Sequence, residues 1–410
     1  MRAAAAVVIV GAGQGGLETA AALRAAGHDG RVVLVGDEPG LPYQRPPLSK
    51  ALLAGEANAG DVVLRPVAFF AEHEIELLAG RQVVSLDRTR RRARLDDGAE
   101  LDYDHLVLAT GARNRRLALP GAELDGVLSL RTVADAIELR ERLSQTEELT
   151  IIGAGFIGLE VASVARAAGV AVTVFEIAQQ PMARMLSEPV SRFFTARHRQ
   201  RGVELRLADG VQRIVGERGR VTGVVDGAGQ RWPAQLVLTA VGIEPNDELA
   251  AGAGLAVARG VCVDEWLVSG DQAIYALGDC ARFPSRFSAA PVLLESVQNA
   301  SEQARAVAAR IAGGDGGYDA VPWFWSDQAG VRLQIAGLTA GSDEVVVIGE
   351  PETGRFSSLC FTDGRLLGVE SVGRPGDHVA ARRLLAGGSA LSPAVAGGED
   401  FDLKAHARAA

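Results

Sequence analysis

Residues 7–16 read Val-Val-Ile-Val-Gly-Ala-Gly-Gln-Gly-Gly. Four apolar residues run straight into Gly11, Gly13 and Gly16, and a stretch of small residues follows. Residues 149–160, Leu-Thr-Ile-Ile-Gly-Ala-Gly-Phe-Ile-Gly-Leu-Glu, repeat the pattern with Gly153, Gly155 and Gly158. In each, a strand turns tightly into a helix. The first glycine allows the turn, the second lets backbone approach a pyrophosphate, and the third lets helix and strand pack closely, so that phosphates meet the positive helix end. After the first motif, VVLVGDE places Asp37 or Glu38 about 20 residues beyond Gly16, where an acid can hold a ribose hydroxyl. After the second, VAVTVFE ends in Glu176. One such fingerprint is weak evidence. Two, each followed by a strand that ends in an acid, predict two bound dinucleotides and electron transfer between them.

Glu176 also bears on coenzyme choice. A carboxylate there accepts from a ribose 2′-hydroxyl and repels a 2′-phosphate. Ile177, Ala178, Gln179 and Gln180 supply no cation, although Arg184 is close in sequence. NADH is therefore expected over NADPH.

A chain of 410 residues is long for one domain, so two or three are expected. No apolar run approaches the length of a membrane span, and the start AAAAVVIV leads directly into the first glycine motif as a buried strand, which predicts a cytoplasmic protein. The net charge of −9 argues against general nucleic-acid binding. Cys262, Cys280 and Cys360 are far apart and form no C-x-x-C pair, which argues against a redox disulfide or a cysteine-ligated cluster. The six histidines show no ligand spacing, and no metal site is expected. Of 42 basic residues only Lys50 and Lys404 are lysines, so Lys50 stands out.

Along the chain, residues 1–112 read as a βαβ start, a loop-rich insertion at 39–62, a hairpin region and the strand LVLATG ending at Thr110-Gly111. The hairpin carries Arg88, Arg90, Arg91, Arg92 and Arg94, read as a solvated strand. RNRRLALPG, starting at Arg113, is a polar connector. A second α/β unit then runs to 243 and closes with LVLTAVGIEPN, an internal echo of LVLATGAR. Residues 293–313 predict a long helix. From Pro322 onward alternating strands predict a smaller domain, with a helix near 376–387.

Further motifs carry a resemblance far more specific than the glycines: YQRPPLSK (43–50), ATGAR (109–113), GAGFIGLE (153–160), TAVGIEPN (239–246), ALGDCA (276–281), ESVQNA (295–300) and WFWSDQ (323–328). From end to end the chain resembles the FAD-dependent ferredoxin reductases that serve bacterial oxygenases. The resemblance implies an α/β, glutathione-reductase-like fold with two Rossmann-like dinucleotide-binding domains and a smaller C-terminal α+β domain. Residues 1–112 and 244–320 would bind FAD, 113–243 would bind NADH (NAD+), and 321–410 would form the C-terminal domain.

Carried over residue by residue, the resemblance implies that Gly11, Gly13 and Gly16 face the FAD pyrophosphate, with Asp37 near the adenosine ribose and Arg45 neutralising phosphate. Asp279 would hold a ribityl hydroxyl. Val297 would place a backbone N–H at the flavin pyrimidine edge, where the helix it opens favours negative charge. Val83, Thr110, Gly111, Arg131 and Gly242 complete the implied cofactor contacts. Lys50 and Glu160 would meet across the domain junction near flavin N5, the lysine stabilising electron density on the reduced ring and the glutamate holding it in place. Trp325 would lie beside the isoalloxazine.

Two departures matter. Relatives that are NADH oxidases or peroxidases carry a redox cysteine in the segment corresponding to 41–50, and the disulfide reductases carry a cysteine pair. LPYQRPPLSK has neither, so reduced flavin is expected to pass electrons out of the chain. The implied reaction is hydride transfer from NADH to FAD, then single-electron transfer to an acidic [2Fe–2S] ferredoxin docking near Arg65, Arg310 and Lys404, for a haem monooxygenase or ring-hydroxylating dioxygenase. Rubredoxin reductase and a redox-signalling flavoprotein like apoptosis-inducing factor are the alternatives.

Overall fold

The run Val7–Val10 is buried on both faces, as a central strand of a covered parallel sheet must be. In the computed structural model, which describes residues 5–388 and 390–409, it is the middle of five parallel strands. Their spatial order is Ile274–Ala276, His105–Leu108, Val7–Val10, Val32–Gly36, Ile75–Ala79. These strands belong to the first of two compact units, made of residues 5–44, 62–113 and 244–322. One sheet face packs on the helices Gln14–Ala25 and Val297–Ile311 through Leu17, Leu23, Ala304 and Val307. Gly15 leaves room for Leu277, which follows the strand Ile274–Ala276: a Cβ there would lie 2.5 Å from Leu277 Cδ1. The other face is covered by the antiparallel strands Val83–Asp87, Arg92–Leu95 and Glu100–Asp102, through Val83, Ala93, Leu95 and Leu101.

The second unit comprises residues 45–61, 114–243 and 323–409. It holds a matching parallel sheet in the order Val203–Leu207, Ala171–Glu176, Glu148–Ile152, Leu236–Thr239, Val127–Leu128. Three antiparallel strands between Val211 and Pro233 cover one side through Ile214, Val221 and Val224. The C-terminal part is an antiparallel sheet of five strands, ordered Trp323–Gln328, Val331–Gly337, Arg365–Val372, Arg355–Thr362, Glu344–Glu350. The helix Pro375–Gly387 follows it and buries Leu384 and Leu385.

Residues 45–61, which sequence reasoning groups with 1–112, cluster in the structure with the second unit. The bonds of this segment show why. Arg45 Nη1 donates to the Arg131 carbonyl at 2.5 Å, Arg140 Nη1 donates to the Leu52 carbonyl at 3.4 Å, and Ser49 and Lys50 both donate to Glu160. The expected long helix at 293–313 begins at Val297, because Ser296 takes the cap position and accepts from the Asn299 N–H at 3.1 Å. No helix among the described residues is long and apolar enough to cross a membrane.

Candidate active site: two dinucleotide turns and a buried glutamate

The two glycine turns place their first and third glycines against corresponding backbone atoms. Gly11 and Gly153 sit at φ +110° and +105°, a region an L-residue rarely adopts, and a Cβ would strike the carbonyls of Ala109 (2.1 Å) and Ala240 (2.4 Å). A Cβ on Gly16 or Gly158 would meet the Gly11 or Gly153 oxygen at 1.9 Å and 2.3 Å. Gly13 and Gly155 differ: a Cβ there would meet nothing within 4 Å. The middle glycine therefore faces open space, as backbone must where a pyrophosphate approaches it. Each glycine caps its helix, Gln14–Ala25 or Phe156–Ala167, and neither helix has a side-chain cap. By contrast Thr132 and Ser296 cap their helices through their hydroxyls. Helix N-termini with unoccupied N–H groups are suited to a bound anion. The residues present fit two dinucleotides.

Glu176 ends its strand beside the second turn. Its Oε2 accepts from Ala154 N–H at 2.8 Å and its Oε1 from Ala178 N–H at 2.9 Å, so the carboxylate is fixed in the turn rather than free to swing. In the first unit Asp37 is exposed at the end of Val32–Gly36, whereas Glu38 bonds the Tyr43 hydroxyl. Thr110 and Asn246 clasp each other: Thr110 Oγ1 donates to the Asn246 carbonyl at 2.6 Å, and Asn246 Nδ2 to the Thr110 carbonyl at 2.9 Å. Gly111 sits beside that clasp at φ +64°. Asp279 lies in the turn Gly278–Cys280, fixed by the buried Gln303, whose Oε1 accepts from Gly278 N–H at 2.7 Å. Val297 is the first residue of its helix, so its N–H has no intrahelical acceptor. Val83 is buried in the antiparallel layer. Asn246 and Gln303 are supports that sequence reasoning missed.

In the second unit, Lys50 Nζ donates to Glu160 Oε2 at 2.6 Å. Glu160 is 2% exposed, on the helix opened by the second glycine turn. Charge alone does not settle a buried carboxylate; its remaining lone pairs need donors. Ser49 Oγ donates to the same oxygen at 2.5 Å, and Ser326 Oγ donates to Oε1 at 2.6 Å. Behind Ser326, Gln328 Nε2 donates to Ser326 Oγ at 3.2 Å, and the Gln328 oxygen accepts from His198 Nε2 at 2.9 Å. Burial pushes the His198 imidazole below its ordinary range, with the bond to Gln328 opposing. The neutral ring thus starts a chain of donors that runs one way, ending on Glu160. Ser49, Ser326, Gln328 and His198 were not expected from the sequence.

Arg45 and Arg131 lie side by side in this unit through the bond already given, and Gly242 adopts φ +99° facing open space. Trp325 is half-buried on Trp323–Gln328, its ring 5.6 Å from that of Trp323. The two units thus divide the expected cofactor residues: Gly11 to Gly16, Asp37, Val83, Thr110, Gly111, Asp279 and Val297 fall in the first, the others in the second. Of the expected docking cations, Arg65 is exposed with its guanidinium over Phe69. Arg310 is half-buried over Trp266, and Lys404 is exposed on Leu403–Ala409.

The three cysteines are free thiols. Burial pushes the Cys280 and Cys360 thiols well above their ordinary range, so they behave as small buried hydrophobes. Among the described residues no cluster of His, Cys, Asp and Glu has the arrangement of a metal site.

Paired dinucleotide turns with a lysine held by a buried glutamate define an oxidoreductase that uses two nucleotides. The chain belongs to the pyridine nucleotide-disulphide oxidoreductase family, whose model matches residues 5–304, and a Reductase C-terminal model matches residues 323–407. FAD and NAD(P)H are the family's cofactors. The chain is 50% identical to rhodocoxin reductase of Rhodococcus erythropolis over 97% of its own length and 93% of that protein. Its fold matches the ferredoxin reductase for the CYP199A2 system of Rhodopseudomonas palustris with TM-score 0.96 at 46% identity, covering 98% of this chain and 99% of that one. The covalent putidaredoxin reductase–putidaredoxin complex matches equally well, with TM-score 0.96 at 40% identity over the whole of both chains.

Proposed function

We propose that this chain oxidises NADH and delivers single electrons to a [2Fe–2S] ferredoxin that feeds a haem monooxygenase or a ring-hydroxylating dioxygenase. The observation that carries this reading is the pair of a half-buried Lys50 with the buried Glu160, in a chain that has two dinucleotide turns and only free thiols. With no cysteine pair to receive them, electrons leave the chain. Bound FAD supplies the conversion of one two-electron donation into two one-electron deliveries.

The protein's part is orientation and electrostatics. The turns at Gly11–Gly16 and Gly153–Gly158 hold pyrophosphates. Arg45 and Arg131 add positive charge for phosphate, Asp37 and Asp279 accept from sugar and ribityl hydroxyls, and Val297 offers a backbone donor. Val83, Thr110, Gly111 and Gly242 shape the walls. Glu176, fixed by two amides, accepts from a 2′-hydroxyl and repels a 2′-phosphate, selecting NADH. Lys50, held by Glu160, offers a fixed cation to an electron-rich reduced ring, and Trp325 a flat apolar wall. Residues 1–112 with 244–320 are the FAD portion, 113–243 the NADH portion and 321–410 a C-terminal domain. Arg65, Arg310 and Lys404 serve an acidic ferredoxin, in a cytoplasmic setting where NADH is supplied.

The test is steady-state NADH oxidation with ferredoxin, with rubredoxin and with no acceptor. Ferredoxin should give the highest kcat/KM. Faster rubredoxin reduction, or equal rates without acceptor, overturns the assignment.

A further inference from the structure

The segment 177–187, between Glu176 and the helix Glu188–Gln200, is held from two sides within the second unit. On one side it is bolted to the second glycine turn. Met182 N–H donates to the Ala154 carbonyl at 3.0 Å, and Ala154 N–H in turn donates to Glu176 Oε2 at 2.8 Å. Met182 keeps φ +55°, an unfavourable value for its residue type, which persists only where surroundings impose it. Ser191 Oγ and Ala208 N–H also hold the segment, donating to the Pro181 and Ala178 carbonyls at 2.7 and 2.8 Å, and on the other side the C-terminal part contributes. Glu370, on Arg365–Val372, is 0% exposed. Its Oε1 accepts from Ser187 N–H at 2.9 Å, and its Oε2 accepts from Ser187 N–H at 3.2 Å and from Ser187 Oγ at 2.5 Å. Thr339 Oγ1 donates to the Met185 carbonyl at 2.9 Å, and Gln328 Nε2 lies 3.5 Å from Met182 Sδ.

Glu370 is a poor choice for packing alone. Burial pushes its carboxyl above the ordinary range, the Ser187 and Thr339 donors opposing, and among the described residues no cation pairs with it. A buried carboxyl without a counter-charge costs more stability than an apolar side chain of the same size, even where its hydrogen bonds are made. Three of its contacts go to Ser187, the residue that ends the segment after Glu176, and Thr339, which holds the Met185 carbonyl, is its other donor.

We propose that Glu370 is a positioning residue for coenzyme binding: by anchoring Ser187 it fixes the 182–187 turn, which fixes Ala154 and the Glu176 carboxylate. The C-terminal sheet is then part of what shapes the NADH site. This rests on the reading of Glu176 as the acid that discriminates coenzymes.

The experiment uses the holoenzyme and the variants Glu370→Gln, Ser187→Ala and Ser187→Thr, with Thr339→Val as a milder disturbance of the same segment. NAD+ binding is measured by calorimetric titration. KM and kcat for NADH and NADPH are measured with ferricyanide, with melting temperature alongside. Glu370→Gln and Ser187→Ala should raise the NAD+ Kd and the NADH KM by about 5-fold or more, the scale of one lost hydrogen bond. The effect should fall on KM rather than kcat and should narrow the NADH:NADPH ratio. Ser187→Thr should restore binding, and Thr339→Val should move it in the same direction by less. A lowered melting temperature with unchanged Kd, KM and coenzyme ratio overturns the proposal. Glu176→Gln, run beside them, separates the two levels. If it leaves the coenzyme ratio unchanged, the reading of Glu176 fails and the proposal with it. If it moves the ratio while Glu370→Gln does not, only the positioning role falls.

Discussion

Ser326 Oγ donates to Glu160 Oε1 at 2.6 Å although 166 residues separate the two in the chain. The C-terminal sheet thus supplies one of three donors that hold the carboxylate paired with Lys50. Ser326→Ala leaves a buried carboxylate one donor short, a loss of about 1–3 kcal/mol of stability. It also loosens the pair, which should lower kcat/KM for NADH by about 10-fold, as small misplacements near reacting groups do. Ser326→Thr keeps the hydroxyl and should recover most of both. Denaturant unfolding and NADH–ferricyanide kinetics check this; an alanine variant as stable and as fast as the parent would refute it.

The donor chain behind Ser326 marks where sequence reading stops. Gly11, Gly16, Gly153 and Gly158 are legible because their constraint is local: the Cβ that each lacks would strike backbone within its own strand–turn–helix unit or the strand beside it. The parallel sheets follow from the same local signals, buried runs such as Val7–Val10 followed by turn residues. Lys50 is legible by rarity and by its motif. Ser326 and Gln328 lie within the WFWSDQ stretch, and the alternation of a strand puts them on the face opposite Trp325, yet nothing local says that this face meets Glu160. His198 to Gln328 and Ser187 to Glu370 are equally remote pairings, created by packing of the C-terminal sheet. The arginine run 88–94 predicts a solvated strand; Arg92 and Arg94 lie on one, Arg92 pairing with Glu100 and Asp102, whereas Arg88, Arg90 and Arg91 form the turn before it. Arg88 departs from it by turning to Asp271, far along the chain.

Glu176 should set coenzyme preference. NADH should exceed NADPH in kcat/KM by at least ~10-fold, a difference of about 1.4 kcal/mol. Since its carboxylate also accepts from the Ala154 and Ala178 amides, Glu176→Ala would disturb the turn as well as remove charge. Glu176→Gln keeps one acceptor oxygen and is the cleaner probe. It should narrow the ratio mainly through the NADPH KM, and equal parent rates with the two coenzymes would reject the assignment.

His378 makes stability depend on pH. It is 2% exposed, its ring 5.6 Å from Trp323, with the Arg382 guanidinium over the same indole. Burial, and then Arg382, lower its pKa from 6.5 to about 4. The folded protein therefore binds this proton less readily than the unfolded chain. Its contribution is fully present above pH 6.5 and is lost as pH falls through the window from 6.5 to about 4, by up to about 3 kcal/mol. His378→Leu should flatten the pH dependence of unfolding free energy in that window. A slope remains from His198, lowered by burial in the same direction. Parallel curves for parent and variant between pH 7 and 4 would exclude the effect.

Ferredoxin docking must work against a net charge of −9, since an acidic partner is repelled at long range and only local complementarity can offset this. The three candidate cations are not equally available. The Arg65 guanidinium lies 5.4 Å from the Phe69 ring centre and that of Arg310 5.7 Å from Trp266, where Arg310 Nη1 also donates to the Gly314 carbonyl at 3.3 Å. An arginine held over an aromatic ring keeps its charge while losing less freedom on binding. Lys404 is exposed near the end of the chain. Arg310→Glu should therefore raise the KM for ferredoxin more than Lys404→Glu does, with NADH–ferricyanide activity nearly unchanged in both. Raising ionic strength should weaken ferredoxin reduction in the parent and have less effect in Arg310→Glu, because one screened attraction has already been removed. If Arg65→Glu and Arg310→Glu both leave ferredoxin kinetics and their salt dependence at parent values, the partner docks on another face and the flavin chemistry stands apart from these cations.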